Sequence, residues 1–325
     1  MQAIEISGLR KTYRSARGVV NAVDGLDLAV GAGGVHGFLG ANGAGKTTTI
    51  RALVGHLHAT AGEIRLLGHS VPHDLPKVID RVGALVEQPS FFPNFSGRRN
   101  LALLARSRGI PQTRVSAALD TVGLADRAGS RFATYSLGMK QRLGVAAVLL
   151  KDPEVLILDE PANGLDPPGI LEMRTLLRRL GEEGRTVFVS SHILSEVEQT
   201  CDRVSVIAHG RLVRSGTVRE LMAGGESRFA VSVPGGSAQL AAAAQALRRA
   251  GFDLEVTGDG QISVAVEGEA ASRVTAALSA TGIHLSLLMP IERTLEDAFL
   301  ELTGTPPTAP VAAPAPPQQS SERRP

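Results

Sequence analysis

Gly40-Ala41-Asn42-Gly43-Ala44-Gly45-Lys46-Thr47 is the stretch that decides the fold. Two glycines followed by a lysine and a hydroxyl residue at this spacing form the pattern of a phosphate-binding loop. Glycines let the backbone curl until successive N–H groups and a helix N-terminus face one anion. Lys46 then supplies a positive charge to β- and γ-phosphates, the Thr47 hydroxyl can ligate Mg²⁺, and Thr48 continues the same cradle. The flanks agree with this reading. Val35-His36-Gly37-Phe38-Leu39 is a short strand-like run entering the loop, and Thr47 to Leu57 leaves it with helical spacing. A glycine-rich turn that holds no ligand would need neither flank.

The alternation continues outward. Val155 to Leu158 is four branched apolar residues ended by Asp159 and Glu160, the look of a strand buried on both faces of a parallel sheet. Such a strand sets its acids at the sheet edge near the phosphate loop, where Asp159 can hold Mg²⁺ and Glu160 can polarise an attacking water. Helical spacing from Pro111 to Gly129, Leu137 to Lys151, Leu171 to Leu180 and Ser195 to Cys201 alternates with strands at Thr186 to Ser190 and Val204 to Ala208. This predicts an α/β domain over residues 1–223. Gly224-Gly225 reads as a linker to a smaller α+β unit over 224–304, of ferredoxin-like pattern with its last helix at Leu295 to Leu302. The Ala/Pro-rich tail over 305–325 is expected to be disordered or extended.

Composition excludes several classes. The chain has 325 residues, 34 basic against 32 acidic side chains and a formal charge of +2, so no electrostatic footprint for nucleic acid stands out. The single cysteine, Cys201, cannot form an internal disulfide and is expected to be a small buried side chain in a reducing cytoplasm. No apolar run reaches the ~18 residues a membrane span needs, so a membrane role is expected to go through another polypeptide. Aromatics make up only 3% of the chain, which implies an aliphatic core and draws attention to each aromatic position.

Tyr135-Ser136-Leu137-Gly138-Met139-Lys140-Gln141-Arg142, just before the Val155 strand, resembles the signature sequence of ATP-binding cassette (ABC) ATPases. Asn163-Gly164-Leu165-Asp166 looks like the D-loop of that family, His192 stands at its switch histidine, and Tyr13 matches the aromatic that stacks on adenine. The resemblance covers residues 1 to about 220. It implies a P-loop cassette with a core parallel sheet, an antiparallel β subdomain and a helical subdomain. It also implies an ATPase that takes ATP and Mg²⁺, with Ser136, Gly138 and Asp166 meeting the nucleotide of an opposing cassette, hence a dimer with a second copy or a homologous cassette.

Val82-Gly83-Ala84-Leu85-Val86-Glu87-Gln88-Pro89 resembles the Q-loop region, with Glu87 favoured over Gln88 as the metal-facing residue. Phe91-Phe92-Pro93-Asn94-Phe95 puts three of the nine phenylalanines in five residues, and Pro and Asn argue against a helix or central strand. A surface aromatic patch is expected there, and in the family this stretch lies beside the groove that receives a short helix of the membrane subunit. Docking of an ABC-2-like permease is therefore expected between Glu87 and Phe95. Thr294-Leu295-Glu296-Asp297-Ala298-Phe299 and Leu302-Thr303-Gly304 resemble the ending of bacitracin- and daunorubicin-resistance ATPases, which implies export from the inner face of the cell membrane. A soluble ABC protein of DNA repair or translation is the competing class; those usually carry two cassettes or a long coiled-coil insertion.

Overall fold

The computed structural model describes residues 2–15, 18–86, 90–223, 228–257, 260–266, 271–291 and 293–303; Glu87, Gln88, Gly224-Gly225 and the 305–325 tail lie outside them. The chain opens with β1 (Gln2–Ser15), β2 (Gly18–Gly31) and β3 (Gly34–Leu39), which runs through the glycine loop into α1 (Lys46–Leu53). β4 (Ala61–Leu66), β5 (His69–Val71), the single turn α2 (Leu75–Val78) and β6 (Val82–Leu85) follow. Next come α3 (Gly97–Ser107), α4 (Thr113–Thr121) and α5 (Leu137–Leu149). The first unit closes with β7 (Val155–Asp159), α6 (Pro167–Glu182), β8 (Thr186–Ser191), α7 (Leu194–Thr200), β9 (Arg203–Ala208), β10 (Arg211–Thr217) and α8 (Val218–Met222). The remainder is β11 (Arg228–Ser232), α9 (Gly236–Arg249), β12 (Leu254–Val256), β13 (Ile262–Ala265), α10 (Ala271–Ser279), β14 (Leu287–Ile291) and α11 (Leu295–Thr303).

Three sheets organise these elements. The central one has the order β10-β9-β3-β8-β7-β6 and is parallel except for β10. Its strand β7 is apolar up to Asp159 because both faces of the sheet are covered; Val155, Leu156, Ile157 and Leu158 are each 0% exposed. Phe38 and Phe188 pack on each other in this core with ring centroids 5.2 Å apart. An antiparallel sheet of order β2-β1-β4-β5 lies over α1, and Ile4, Leu26, Ile50, Leu66 and Phe38 share one apolar cluster. Helices α3, α4 and α5 form a helical layer around Leu101, Leu119 and Leu143, in one apolar cluster with Leu156 and Leu158 of the central sheet.

The expected alternation is present, with shifted edges. β1 and β2 are long continuous strands of 14 residues each, because bulges in their pairing keep the apolar side inward across Gly25. Helix α3 has no counterpart in the expected elements. Its signal is a Ser96 N-cap, whose hydroxyl accepts from Arg99 N–H, followed by buried Leu101 and Ala105 four apart.

The smaller sheet has the order β12-β13-β11-β14, all antiparallel, within a βαββαβ succession, which is the ferredoxin-like arrangement. α9 and α10 seal one face around Val231, Leu247, Val264, Val274 and Leu278. α11 packs elsewhere. The sequence reading groups it with 224–304, whereas Leu295 is 0% exposed within the core of the first unit, flanked by Phe299 and Leu302. The Leu295 N–H donates to Glu198 Oε2 of α7 at 3.2 Å, and Thr294 and Asp297 exchange capping bonds at the helix start.

Two expectations follow from this packing. Leu295→Ala should cost the larger unit about 2–5 kcal/mol, the range for emptying a buried leucine site; hydrogen exchange of α7 and β8 amides reads the loss. His36 on β3 is buried against Ser205 and Phe188, and burial, with the Arg203 charge, pushes its pKa down to about 4 from 6.5. Between those values the unfolded chain binds a proton that the folded chain refuses. Stability is therefore full above about pH 6.5 and declines by roughly 3 kcal/mol as pH falls toward 4. Urea unfolding at pH 7 and pH 5 should show that slope, and His36→Gln should flatten it.

Candidate active site

The parallel sheet delivers three loops to one edge, because β3, β8 and β7 are adjacent and all end there. β3 leads into the glycine loop. Gly45 holds φ 107°, and a Cβ there would sit 2.5 Å from the Ala22 carbonyl oxygen, so glycine is required both for conformation and for space. Gly40 is pressed as closely: its Cβ would stand 2.7 Å from the Ile207 carbonyl oxygen. These approaches seat the loop between β2 and the end of β9.

Lys46 is buried at the first position of α1, and its Nζ donates to the Gly40 carbonyl oxygen at 2.7 Å, curling back over the loop. The same ammonium lies 3.2 Å from Glu160 Oε1. Glu160 Oε2 in turn is 2.8 Å from His192 Nδ1. One carboxylate thus bridges the cation of the phosphate loop and the imidazole that follows β8. Glu160 adopts φ 50°, left-handed backbone for a non-glycine residue, which costs on the order of 1–3 kcal/mol.

Ser190, fully buried at the end of β8, holds this corner together. Its hydroxyl donates to Asp159 Oδ1 at 2.5 Å and accepts from the Glu160 N–H at 2.9 Å, fixing both acids relative to β8. The sequence reading missed Ser190; its signal is a polar residue ending an otherwise apolar strand, Val187-Phe188-Val189-Ser190.

A concave pocket at this edge is lined by Ala22, Ala41, Asn42, Gly43, Gly45, Lys46, Thr47, Thr48, Glu160, Asn163 and His192. Backbone N–H groups and a single buried ammonium make it an anion cradle. The Thr47 hydroxyl and the Asp159 carboxylate offer the hard oxygen donors that Mg²⁺ takes. Among the described residues no cluster of three His, Cys, Asp or Glu exists, so the fit is to a cation that keeps phosphate and water ligands. The third expected ligand, Glu87, lies outside the described residues. Tyr13 is 42% exposed on β1 with Lys11 Nζ 5.2 Å from its ring centroid, on the hairpin that also supplies Ala22 to the pocket wall.

The other expected site residues do not line this pocket. Ser136 caps α5, accepting from the Met139 N–H at 3.3 Å, and Asp166 caps α6, accepting from the Gly169 N–H at 3.3 Å. Gly138 is in ordinary contact range of Leu165 and Gly169, so nothing in its own chain demands a glycine there. The two loops are tied by Gln141, whose Nε2 donates to the Asn163 carbonyl oxygen at 3.0 Å, a link that sequence reading did not anticipate.

The aromatic stretch is corrected in part. Phe91 is not on the surface: it is 9% exposed and packs edge-on against Phe132 with centroids 5.1 Å apart. Phe92 is 60% exposed, and Phe95 stacks between it and Arg99. Alternation of sides within the loop separates neighbours that composition alone groups together. Cys201 is buried as expected, and desolvation pushes its thiol up to about 12, which leaves it inert.

Residues 23–163 match the family model described as ABC transporter. The bacitracin transport ATP-binding protein BcrA of Enterococcus faecalis is 36% identical over 93% of the chain and 96% of the relative. The daunorubicin/doxorubicin resistance ATP-binding protein DrrA of Streptomyces peucetius is 36% identical over 94% of the chain and 93% of the relative. Among solved structures, cbiO1 of Clostridium perfringens, part of the ABC transporter complex cbiONQ, superposes with a TM-score of 0.61 at 29% identity, over 68% of this chain and 91% of that one. With its phosphate loop, paired acids and histidine converging at the edge of the parallel sheet, the chain belongs to the ATP-binding proteins of ABC transporters, the cassettes that bind MgATP and hydrolyse it.

Proposed function

We propose that the chain powers export, as one of two cassettes that close on ATP between them beneath a separate membrane permease. The observation that carries the reading is the division of site residues within one chain. Lys46, Glu160 and His192 converge in one pocket, while exposed Ser136 and buried Gly138 sit at the start of α5 outside it. A helix N-terminus is an anion-binding feature, and here a second cassette would bring its nucleotide to it.

In this reading Lys46 and the backbone of Gly40 to Thr48 hold the phosphates, with Tyr13 against the adenine. Thr47 and Asp159, with Glu87, hold Mg²⁺, which neutralises phosphate charge when bound. Glu160 acts as general base on the attacking water and His192 orients its carboxylate. Before it can do so Glu160 must leave Lys46, since phosphate oxygens compete for the same ammonium. Asp166 and Asn163 approach the opposing chain. With the same residues in both copies, a homodimer has two competent sites.

Export is favoured because the relatives named for bacitracin transport and daunorubicin/doxorubicin resistance match along the smaller unit as well as the cassette. With it goes the assignment of 1–223 to the cassette, 224–304 to an accessory unit whose last helix, α11, packs back on the cassette, and 305–325 to a tail. No helix among the described residues is long and apolar enough to cross a membrane, so the path for cargo belongs to a permease, which we assign to the ABC-2-like type. Its short helix would enter the apolar groove between α1, β6, α3 and α5, lined by Val54, Leu85, Leu104, Ile110 and Val148, with Phe92 on the adjoining loop.

Glu160→Gln should lower turnover by two to four orders of magnitude while trapping an ATP-bound dimer, visible by size-exclusion chromatography with MgATP. A Glu160→Gln chain that stays monomeric and hydrolyses ATP at the parent rate contradicts the scheme. Phe92→Ser should leave ATP binding intact and weaken co-purification with the permease by about 30-fold, the loss expected for an interface aromatic. Phe91→Ser is the wrong probe, since it opens the core.

A further inference from the structure

From Gln88 to Leu119 the sequence holds five arginines and no acidic residue, in a chain whose total formal charge is only +2. Arg114 is neutralised by Asp152 at 2.8 Å. The other four, Arg98, Arg99, Arg106 and Arg108, are exposed on or just after α3, and among the described residues none has a carboxylate within 4.0 Å. Arg98 is tied to the Ser116 hydroxyl, and Arg99 lies flat over Phe95 at 3.9 Å from the ring centroid. Arg99, Leu103 and Arg106 follow at helical spacing of four and three, so they share one face, and Leu103 is 38% exposed between the two cations. Phe92, 60% exposed, continues this face beyond Phe95.

This surface is cationic at its centre and aromatic at one end. The groove beside α3 is lined instead by Leu104, Arg108 and Ile110, and none of Arg99, Leu103 and Arg106 lines it. A groove accepts a helix; an exposed face of unpaired arginines with apolar side chains among them is complementary to an anionic surface. Arginines draw anionic headgroups, an exposed Phe and Leu enter the headgroup boundary, and the guanidinium stems lie along the apolar layer.

We propose that the α3 face binds the anionic phospholipid surface directly, so that the cassette rests on the membrane through Arg99, Leu103 and Arg106 in addition to any contact with a permease. Docking at the adjoining groove would bring this face to the bilayer, and lipid contact would then fix the tilt of the helical layer. The inference goes beyond the docking reading, because it concerns the isolated chain and lipid alone.

The test is co-sedimentation of the purified chain with vesicles of phosphatidylcholine containing 30% phosphatidylglycerol, set against pure phosphatidylcholine. Each near-surface arginine strengthens binding to an anionic leaflet by about fivefold, so Arg99→Glu/Arg106→Glu should reduce binding by more than 25-fold. Raising salt from 0.05 to 0.5 M should release the parent chain. Basal ATPase activity of the isolated variant should stay at the parent rate, which excludes misfolding as the cause. Equal sedimentation with both vesicle types, or parent-like binding by the double variant, overturns the proposal. It is equally overturned if the parent ignores vesicles while the double variant loses co-purification with the permease, an outcome that assigns the face to an acidic polypeptide.

Discussion

The Glu160 carboxylate, gripped by the Lys46 ammonium on one side and the His192 imidazole on the other, is the contact on which the arrangement of the site depends. Lys46 is 6% exposed, and a buried ammonium without an anion is costly enough to displace its own loop. Glu160 supplies that anion from β7, and phosphates would supply it in turn. Besides the Gly40 carbonyl, the lysine has one anionic partner here, Glu160, and a competing anion decides whether Glu160 is held or released. Parallel strand order makes this exchange local: β8 lies between β3 and β7, so the lysine, histidine and carboxylate emerge from neighbouring strand ends.

Strain and satisfaction balance at the same corner. Left-handed backbone at Glu160 is unfavourable by itself, yet the Ser190 hydroxyl accepts its N–H and donates to Asp159, so the unusual turn has its polar groups paired in a buried setting. That bonding keeps the two acids apart in role. Asp159 is locked to β8, whereas Glu160 is fixed by its backbone and leaves its carboxylate free to choose between Lys46, His192 and solvent.

Much of this was legible in the sequence for a physical reason. A phosphate loop needs particular residues at particular places, and a strand buried on both faces needs an unbroken apolar run, so Gly40 to Thr47 and Val155 to Glu160 announce themselves. That His192 belongs to the site was implied by family resemblance and not by spacing, and its contact with Glu160, 32 residues away, is a finding of the structure. Three things were hidden. Ser190 is an ordinary residue type whose role exists only across strands. Helix α3 follows an aromatic, proline-containing loop that masks its start. The allegiance of α11 is a tertiary fact: its pattern of Leu295, Ala298, Phe299 and Leu302 says which side is apolar and nothing about which unit covers it.

The scarcity of aromatics gains meaning from how the loop before α3 is built. Asn100, 2% exposed, accepts the Phe92 N–H at 2.8 Å and donates to the Phe92 and Ser96 carbonyl oxygens at 3.1 Å each, so a single side chain fixes the whole turn. The turn sends its phenylalanines opposite ways. Phe92 faces outward, while Phe91 meets Phe132, which meets Tyr135 at 5.9 Å, immediately before the Ser136 helix start. Tyr135 is itself seated by Gly97, where any Cβ would stand 2.2 Å from its hydroxyl oxygen, and it donates to the Arg127 carbonyl oxygen at 2.8 Å. Rigid rings in close packing cannot absorb a displacement by changing rotamer as Leu or Met would. A line of close ring contacts thus joins the outer loop to the Ser136 end of α5, and placing stiff residues along that one line is a use for aromatics that an aliphatic core does not need.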